Sequence, residues 1–391
     1  MPFTGKATYS AAQDLPELVE DVADLISIVS PFETPLLDHL GDAQRSAQNT
    51  VHEWIEDDLL ANTDSVNQVS FSPNAQDATA VTVANGARFR VGDVVRPWGS
   101  KEVVYISAVA GNVITVVRRY GNSPASNLAN GQKLMILANA ALEGDDAPDA
   151  RFTNRSRKRN YTQIYSATVQ VSGTMEAARG YGLSGGVGDE LEYQKTQRLR
   201  ELLRDLENSV LNGFAPAANQ AGTSAVRRTM NGVLASIVTN QFLPNTGPIP
   251  AGDGSGTDFN EAVLNAAMRT VWEGSSARVD TVVVGAALKR RMNQWMVPWR
   301  QTSPQDDTYR NLVSRYESDF GRTTVVVSRY LAPDTAVLLD STRIAVLPLA
   351  GRSFHYKPLG ATGDRTGGLL VGEYTVEMRN EQAHAVIRGL T

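Results

Sequence analysis

The chain has 391 residues, a formal net charge of -5 and no cysteine. Such a length predicts two or three hydrophobic cores, and a 42% apolar share suffices to build them. Missing thiols exclude disulfides, thiolate metal sites and a cysteine nucleophile; the acidic balance argues against a dedicated nucleic-acid binder, which carries a basic surplus.

The first residues lack the basic start, apolar run and cleavage site of a signal peptide. The longest apolar stretches, such as Thr281–Gly285, are far too short to span a bilayer. The expectation is a soluble protein made inside the cell, with no membrane contact.

Residues 1–48 read as an arm. Leu15, Leu18, Val19, Val22, Leu25 and Ile26 recur at helical spacing, a pattern that an ordinary amphipathic core helix would also show. Pro31 and Pro35 then break the chain, and Phe32, Leu36, Leu37 and Leu40 offer apolar anchors. From Asn49 an extended segment begins, with Trp54 and Ile55 as anchors. Residues 69–137 change character: TAVTVAN, VVRPW, KEVVYISAV and NVITVVRRYG alternate apolar and polar residues. Turns punctuate them at Asn85-Gly86, Gly92-Asp93, Gly111-Asn112 and Asn130-Gly131. Short strands with frequent turns predict a small β-sandwich or barrel. Its flanks, 49–68 and 138–174, are polar and extended, so the pair reads as a hairpin arm carrying an inserted all-β domain. The second flank turns from acidic (Glu143 to Asp149) to basic, with Arg151, Arg155, Arg157, Lys158 and Arg159.

Within 175–221 lies the clearest helix. Asp189 is a good N-cap, Leu191, Leu199, Leu202, Leu203, Leu206 and Val210 form one stripe, and Asn212-Gly213 signals the end. Glu192–Lys195, Glu201–Arg204 and Arg204–Glu207 are spaced to pair along its charged side. Residues 222–350 then read as mixed α/β. Asp258 and Glu261 are spaced as a capping box ahead of a helix closed by Gly274. VDTVVVG is a buried strand and AALKRRMNQWM a helix; strands TTVVVSRY, TAVLLD and TRIAVLPL follow. The last strands, LLVGEYTVEMR and HAVIRG, fall in 351–391.

Chemistry is sparsely signalled. His39, His52, His355 and His384 have no metal-ligand spacing, and ordinary hydrogen-bonded roles suit them. Gly180, Gly182 and Gly185 match a dinucleotide fingerprint, but no strand leads directly into it, and Asp189 and Glu190 would repel a phosphate. Gly182, Ser184 and Gly186 match a nucleophile elbow, with Asp340 and His355 or His384 in the right chain order. The 180 residues upstream show none of the βα alternation that the elbow needs. A flexible glycine hinge before the long helix accounts for the stretch. No catalytic, cofactor or metal residue is assigned.

The order of arm, extended hairpin, long charged helix, α/β lobe and terminal strands resembles the Hong Kong 97-type capsid fold of tailed phages. Four stretches resemble its podophage and siphophage major head proteins: SPFETPLLDHLGDAQRSAQNTVHEWIEDDLL, RNYTQIYSATVQVSGT, SDFGRTTVVVSRY and EYTVEMRNEQAHAVIRGL. The resemblance implies an α+β chain in which 1–48 is the N-arm, 49–68 and 138–174 the E-loop, 175–221 the P domain with its spine helix, 222–350 the A domain, and 351–391 return strands of the P domain. It implies self-assembly into hexamers and pentamers of an icosahedral head that encloses double-stranded DNA, touched without sequence specificity. Portal, scaffold and decoration proteins are further partners of such a head, and the bacterial cytoplasm is its place of assembly. Since an E-loop lies across a neighbour, Arg151, Arg155, Arg157, Lys158 and Arg159 become candidate contacts to an acidic surface carrying Glu192, Glu201 and Asp205. Two other readings stand beside it: a different virion part, such as a tail tube or adhesin, and a hydrolase using Ser184.

Overall fold

The computed structural model describes residues 33–41, 43–59, 61–141, 143–144, 153, 155–177, 190–295, 315–360 and 363–391. The stripe from Leu15 to Ile26, the break at Pro31, Arg151, the glycines around Ser184, and Asp189 lie outside the described residues. The chain forms two compact units, one of Met1–Trp54 with Arg157–Thr391, the other Ile55–Ser156.

In the first unit, α1 (Pro35–Leu40) opens the described chain. Pro35 does not interrupt structure here but starts this helix, where its missing N–H costs nothing. Strand β1 (Val51–Glu56) follows and leads into the second unit.

The second unit holds β2 (Thr63–Ser65), β3 (Ala80–Thr82), β4 (Asp93–Pro97), β5 (Val104–Ala110), β6 (Val113–Val117) and β7 (Lys133–Asn139). Their antiparallel order is β2-β7-β4-β5-β6-β3. A bridge between Val66 and Val83, with Asn67 N donating to Thr82 O at 2.8 Å, joins the two outer strands. The sheet therefore closes into a barrel and leaves no free edge. Alternation aims Val95, Val104, Ile106, Ile114, Val116 and Leu134 into one core. The first strand begins at Thr63, ahead of the expected Val69, because three polar residues carry no apolar pattern to read. Asn85-Gly86 is not a hairpin turn. Asn85 caps a short helical turn, and a Cβ on Gly86 would sit 1.8 Å from the Gly111 carbonyl oxygen. Glycine is needed for that close approach.

Back in the first unit, β8 (Ser156–Tyr161) pairs with β1 as a two-stranded ribbon. Next come β9 (Gln163–Ser172), α2 (Gly173–Ala177), α3 (Glu190–Asn212), α4 (Val233–Ser236), β10 (Gln241–Phe242), α5 (Glu261–Gly274), β11 (Thr281–Val284) and α6 (Ala286–Trp295). The remaining strands are β12 (Arg315–Ser318), β13 (Gly321–Val327), β14 (Ala336–Leu339), β15 (Ile344–Pro348), β16 (His355–Pro358), β17 (Arg365–Met378) and β18 (Ala385–Ile387).

They build two sheets. The first runs β10-β18-β14-β11-β13-β12, with parallel pairs β10–β18 and β11–β13. Its central strands β11 and β14 are buried runs, TVVV and AVLL, because both faces are covered there. Val282, Val284, Val325 and Leu338 join Leu264, Met268 and Leu288 of α5 and α6; Val283, Val326, Val337 and Leu339 join a core shared with α3. In the second sheet β17 pairs with β9 from Arg365↔Ser172 to Tyr374↔Gln163, and with β15 and β16 along its other edge.

Helix α3 packs through Leu191, Leu202, Leu206, Val210 and Leu211; Leu199 and Leu203 are only half-buried. Glu207, expected on the charged side, is wholly buried. Its carboxylate accepts from Leu36 N at 3.0 Å and Leu37 N at 2.9 Å, the free donors of α1. Lys195 pairs with Glu192 as expected, while Glu201 takes Arg198 instead of Arg204. Helix α5 is capped by Asn260, whose side chain accepts from Val263 N at 2.9 Å, rather than by an Asp258–Glu261 box. Asp258 instead pairs with Arg291 and accepts from Thr391 Oγ1.

Candidate assembly interface

The ribbon of β1 and β8 carries the sequence-predicted cations. Ser156, Arg157, Lys158 and Arg159 are all exposed, and burial begins at Asn160. Cross-strand acids face two of the arginines: Arg157 lies 3.4 Å from Glu53, and Arg155 3.9 Å from Asp57. Glu53 of β1 and Asp57 just beyond its end thus already supply acidic partners from the same chain. Such exposed pairs are individually weak, each worth under about 1 kcal/mol.

On α3, Glu192 and Asp205 are exposed and Glu201 is half-buried. Nine residues separate Glu192 from Glu201, so the two point to opposite sides of a helix with 3.6 residues per turn. Asp205 sits near Glu201's side, 3.6 Å from Arg204. The three acids therefore do not form one patch.

The root of the ribbon is rigid, and pattern reading missed it. Asn160 is buried and bonds in both directions. Its amide donates to Asn231 O at 2.9 Å and Val376 O at 2.7 Å, and its oxygen accepts from Asn231 N at 2.9 Å. Thr162 Oγ1 donates to Glu373, which also holds Arg228 and Arg352. Glu377 takes His52 at 2.7 Å and Arg45 and Arg379 at 2.9 and 3.4 Å. Burial alone would raise the Glu377 carboxyl, but the bonds from His52 and Arg45 outweigh it and hold the group below its usual range. These charges come from distant points of the chain, so no local motif marks them. The one available signal is glutamate at Glu373 and Glu377 inside an otherwise apolar strand, an alternation that demands partners when buried.

No constellation for chemistry assembles among the described residues. Asp340 directs its carboxylate to Thr342 and Arg343, while its backbone N donates to His384 Nδ1 at 3.2 Å. His384 is fully buried, and burial lowers its pKa to about 4. His355 is exposed and bonds to Ser353 O. His39 and His52 bond to Thr281 and Glu377. No group of three His, Asp or Glu able to hold a metal occurs among the described residues. Between β9 and α3 lies an open groove of about 470 Å³, lined by Gln170, Ser172, Gln194 and Arg198 among others.

The described residues thus form a packed sheet core that roots an exposed charged ribbon. The fold occurs in phage particles. The chain aligns over 99% of its length with 96% of a chain of Gordonia phage Cozz, at 11% identity and a TM-score of 0.52. It aligns over 98% with 99% of a chain of Mycobacterium phage Bobi, at 11% identity and 0.51. For the capsid of a native GTA particle the figures are 99% and 100%, at 9% identity and 0.53. This is the Hong Kong 97-type capsid fold, an α+β architecture. The model of the SU10 major capsid protein family matches residues 3–391, and the chain belongs to that family. Among curated relatives, the major capsid protein of Pseudomonas phage PaMx41 is 24% identical over 352 residues, covering 81% of this chain and 79% of its own. That of Escherichia phage Phieco32 is 33% identical over 113 residues, 29% of this chain and 26% of its own. The protein is a phage major capsid protein, a structural component and not an enzyme.

Proposed function

We propose that the chain assembles as hexamers and pentamers into an icosahedral head that encloses double-stranded DNA. The single observation that carries this reading is the end-to-end match of the fold to capsid chains, including the GTA capsid computed with C5 symmetry. Under it, residues 1–48 act as N-arm, 49–68 and 138–174 as E-loop around the barrel, 175–221 with 351–391 as P domain, and 222–350 as A domain. The ribbon suits an arm that reaches a neighbour: its root is clamped by Asn160, Glu373 and Glu377, and its outer residues are exposed on both faces. Arg155, Arg157, Lys158 and Arg159, with Arg151 beside them, contact acidic groups of that neighbour, Glu192, Glu201 and Asp205 being candidates from different sides of its helix. Many weak contacts repeated by symmetry then hold the shell.

Assembly takes place in the host cytoplasm. Portal, scaffold and decoration proteins are its partners, and the DNA inside is touched without sequence specificity. Among the described residues no helix is long and apolar enough to cross a membrane. Expression of the chain alone, followed by negative-stain microscopy, tests the reading. Closed shells or ring-shaped capsomers support it, whereas long tubes or permanent monomers at high concentration overturn it.

A further inference from the structure

Charge is unevenly placed along the chain. Residues 33–54 and 157–391 together sum to +1, so the body carries no acidic surplus. Residues 1–32 hold Asp14, Glu17, Glu20, Asp21 and Asp24 against Lys6 alone, a net of -4. The other acidic runs, 55–60 and 142–156, flank the barrel. The barrel itself, residues 61–141, holds seven cations against Asp64, Asp77, Asp93 and Glu102, a net of +3.

Strand register collects the positive charge at one end of the barrel. Pro97 pairs with Leu134, Val95 with Val104 and Tyr105 with Val117, so the ends of β4 and β6 lie beside the starts of β5 and β7. Arg96, Lys101 and Lys133 are exposed at this end. Among the described residues the ion pairs of the barrel join other groups, Arg88 to Asp64, Arg118 to Glu102 and Arg119 to Asp77. With the three cations stands Trp98, 60% exposed. Its backbone N donates to Lys133 O at 2.7 Å, and its carbonyl accepts from Gln132 Nε2 at 3.1 Å. The connection carrying Lys101 is fixed from below, because buried Glu102 binds Arg118 and Ser126. The acidic flanks attach elsewhere. The chain runs on towards 142–156 from Asn139, the far end of β7, about 20 Å from Lys133. Asn62, through which 55–60 enter, bonds to Ile136 and not to Lys133. That separation exceeds the roughly 8 Å over which physiological salt screens exposed charges.

We propose that this end, Trp98 with Arg96, Lys101 and Lys133, receives the acidic N-terminal segment, residues 14–26, of a neighbouring copy. Charge complementarity is one reason, since -4 at the N-terminus meets +3 on the barrel. Spacing is the other. On the helix that the apolar stripe predicts, Asp14, Leu18, Asp21 and Leu25 follow one another at steps of four, three and four, so acid and apolar side chains alternate along one line. A surface that sets one indole among cations fits such a line: Leu18 covers the ring, and Asp14 and Asp21, one turn to either side, meet the cations. Residues 1–32 precede the first described residue, Glu33, and extend up to about 100 Å, enough to leave one subunit for the next. Duplex DNA offers phosphates to the cations and nothing to the ring short of unstacking its bases. The inference rests on the shell-forming reading above, in which residues 1–48 are an arm, and it gives that arm a seat.

Because the chain has no cysteine, Asn130→Cys places a unique thiol on an exposed turn beside Gln132. It is labelled with a photoreactive crosslinker in full-length protein, assembled from equal parts of 14N and 15N material, and mapped by mass spectrometry. Mixed-isotope links from position 130 to residues 14–26 are the expected result. Charge reversal on either side, by Lys101→Glu with Lys133→Glu or by Asp14→Lys with Asp21→Lys, lowers the yield of those links about tenfold. The two reversals combined restore it, a rescue that a misfolded variant does not give. Links to 14–26 within one isotope only seat the segment on its own copy and overturn the proposal. So do links that fall instead in 157–391, and links to 14–26 that neither reversal changes. Loss of duplex-DNA retention in the Lys101→Glu, Lys133→Glu variant, with no links to 14–26, reassigns the surface to nucleic acid and overturns it too. In each of these cases normal shells seen by microscopy leave shell formation intact, whereas wild-type protein that never associates overturns both.

Discussion

Removing Arg118 should unfold the barrel far more readily. Glu102 is fully buried, and Arg118 grips both its carboxylate oxygens, through Nε at 2.9 Å and Nη2 at 2.8 Å. Arg118 also donates to the carbonyls of Ala75, Ala78 and Ser126. In Arg118→Ala the carboxylate stays buried with no counter-charge, a change that costs about 3–5 kcal/mol. At about 1.4 kcal/mol per tenfold, barrel-core amides such as Ile106 and Ile114 should exchange with deuterium roughly a hundred- to several-thousand-fold faster. The pH dependence supplies a second signature. In the native barrel, burial raises the Glu102 carboxyl, but bonds from Arg118 and Ser126 outweigh it and the net shift is downward. A depressed carboxyl stabilises the fold above the usual carboxylate range and loses that contribution as pH falls through the depressed value. Without Arg118 burial prevails, so the variant gains relative to wild type on acidification and the gap between them narrows. Exchange within tenfold of wild type at neutral pH, or a gap that widens in acid, would refute the reasoning.

Glu207→Ala strips α1 of a charged acceptor for Leu36 N and Leu37 N, and should cost about 1–3 kcal/mol, read as faster exchange in residues 35–41. Burial raises the Glu207 carboxyl despite those bonds; its linkage therefore makes stability fall as pH rises from 4.5 through the raised value, and Glu207→Gln should flatten that slope in urea titrations. His384 behaves in the opposite sense: its pKa of about 4 in the fold, against 6.5, gives stability that is complete above pH 6.5 and lost as pH falls toward 4. That loss amounts to roughly 3 kcal/mol, and a His384→Asn variant with the same acid limb in its melting profile would contradict it. Leu206→Ala should cost about 2–5 kcal/mol by urea denaturation, since Leu206 is 2% exposed in the core beneath α3; a cost below 1 kcal/mol would place that helix face outside the core.

Sequence alone determined the elements whose cause is local. The strands of the barrel follow from alternation, as Ile114 and Val116 of β6 show by pointing inward. The buried strand at Thr281–Val284, the long helix from Glu190 and the helix ending at Gly274 follow from runs, stripes and stop signals read within a dozen residues. The order of these parts was enough to identify the capsid resemblance, and the absence of upstream βα alternation argued against the elbow around Ser184. Tertiary structure decided what depends on residues far apart. Closure of the barrel rests on Val66 meeting Val83, and the short strand at Thr63 exists only because Met135 lies beside it. Glu207 has the spacing of a surface residue, yet it is buried because α1, 170 residues earlier, brings two unpaired N–H groups to it. The ribbon's root follows the same logic, with His52 and Arg45 meeting Glu377 across more than 300 residues. Local patterns record which way a side chain points along its own element. A buried charge records instead what the rest of the chain delivers to it, and only the folded molecule holds that information.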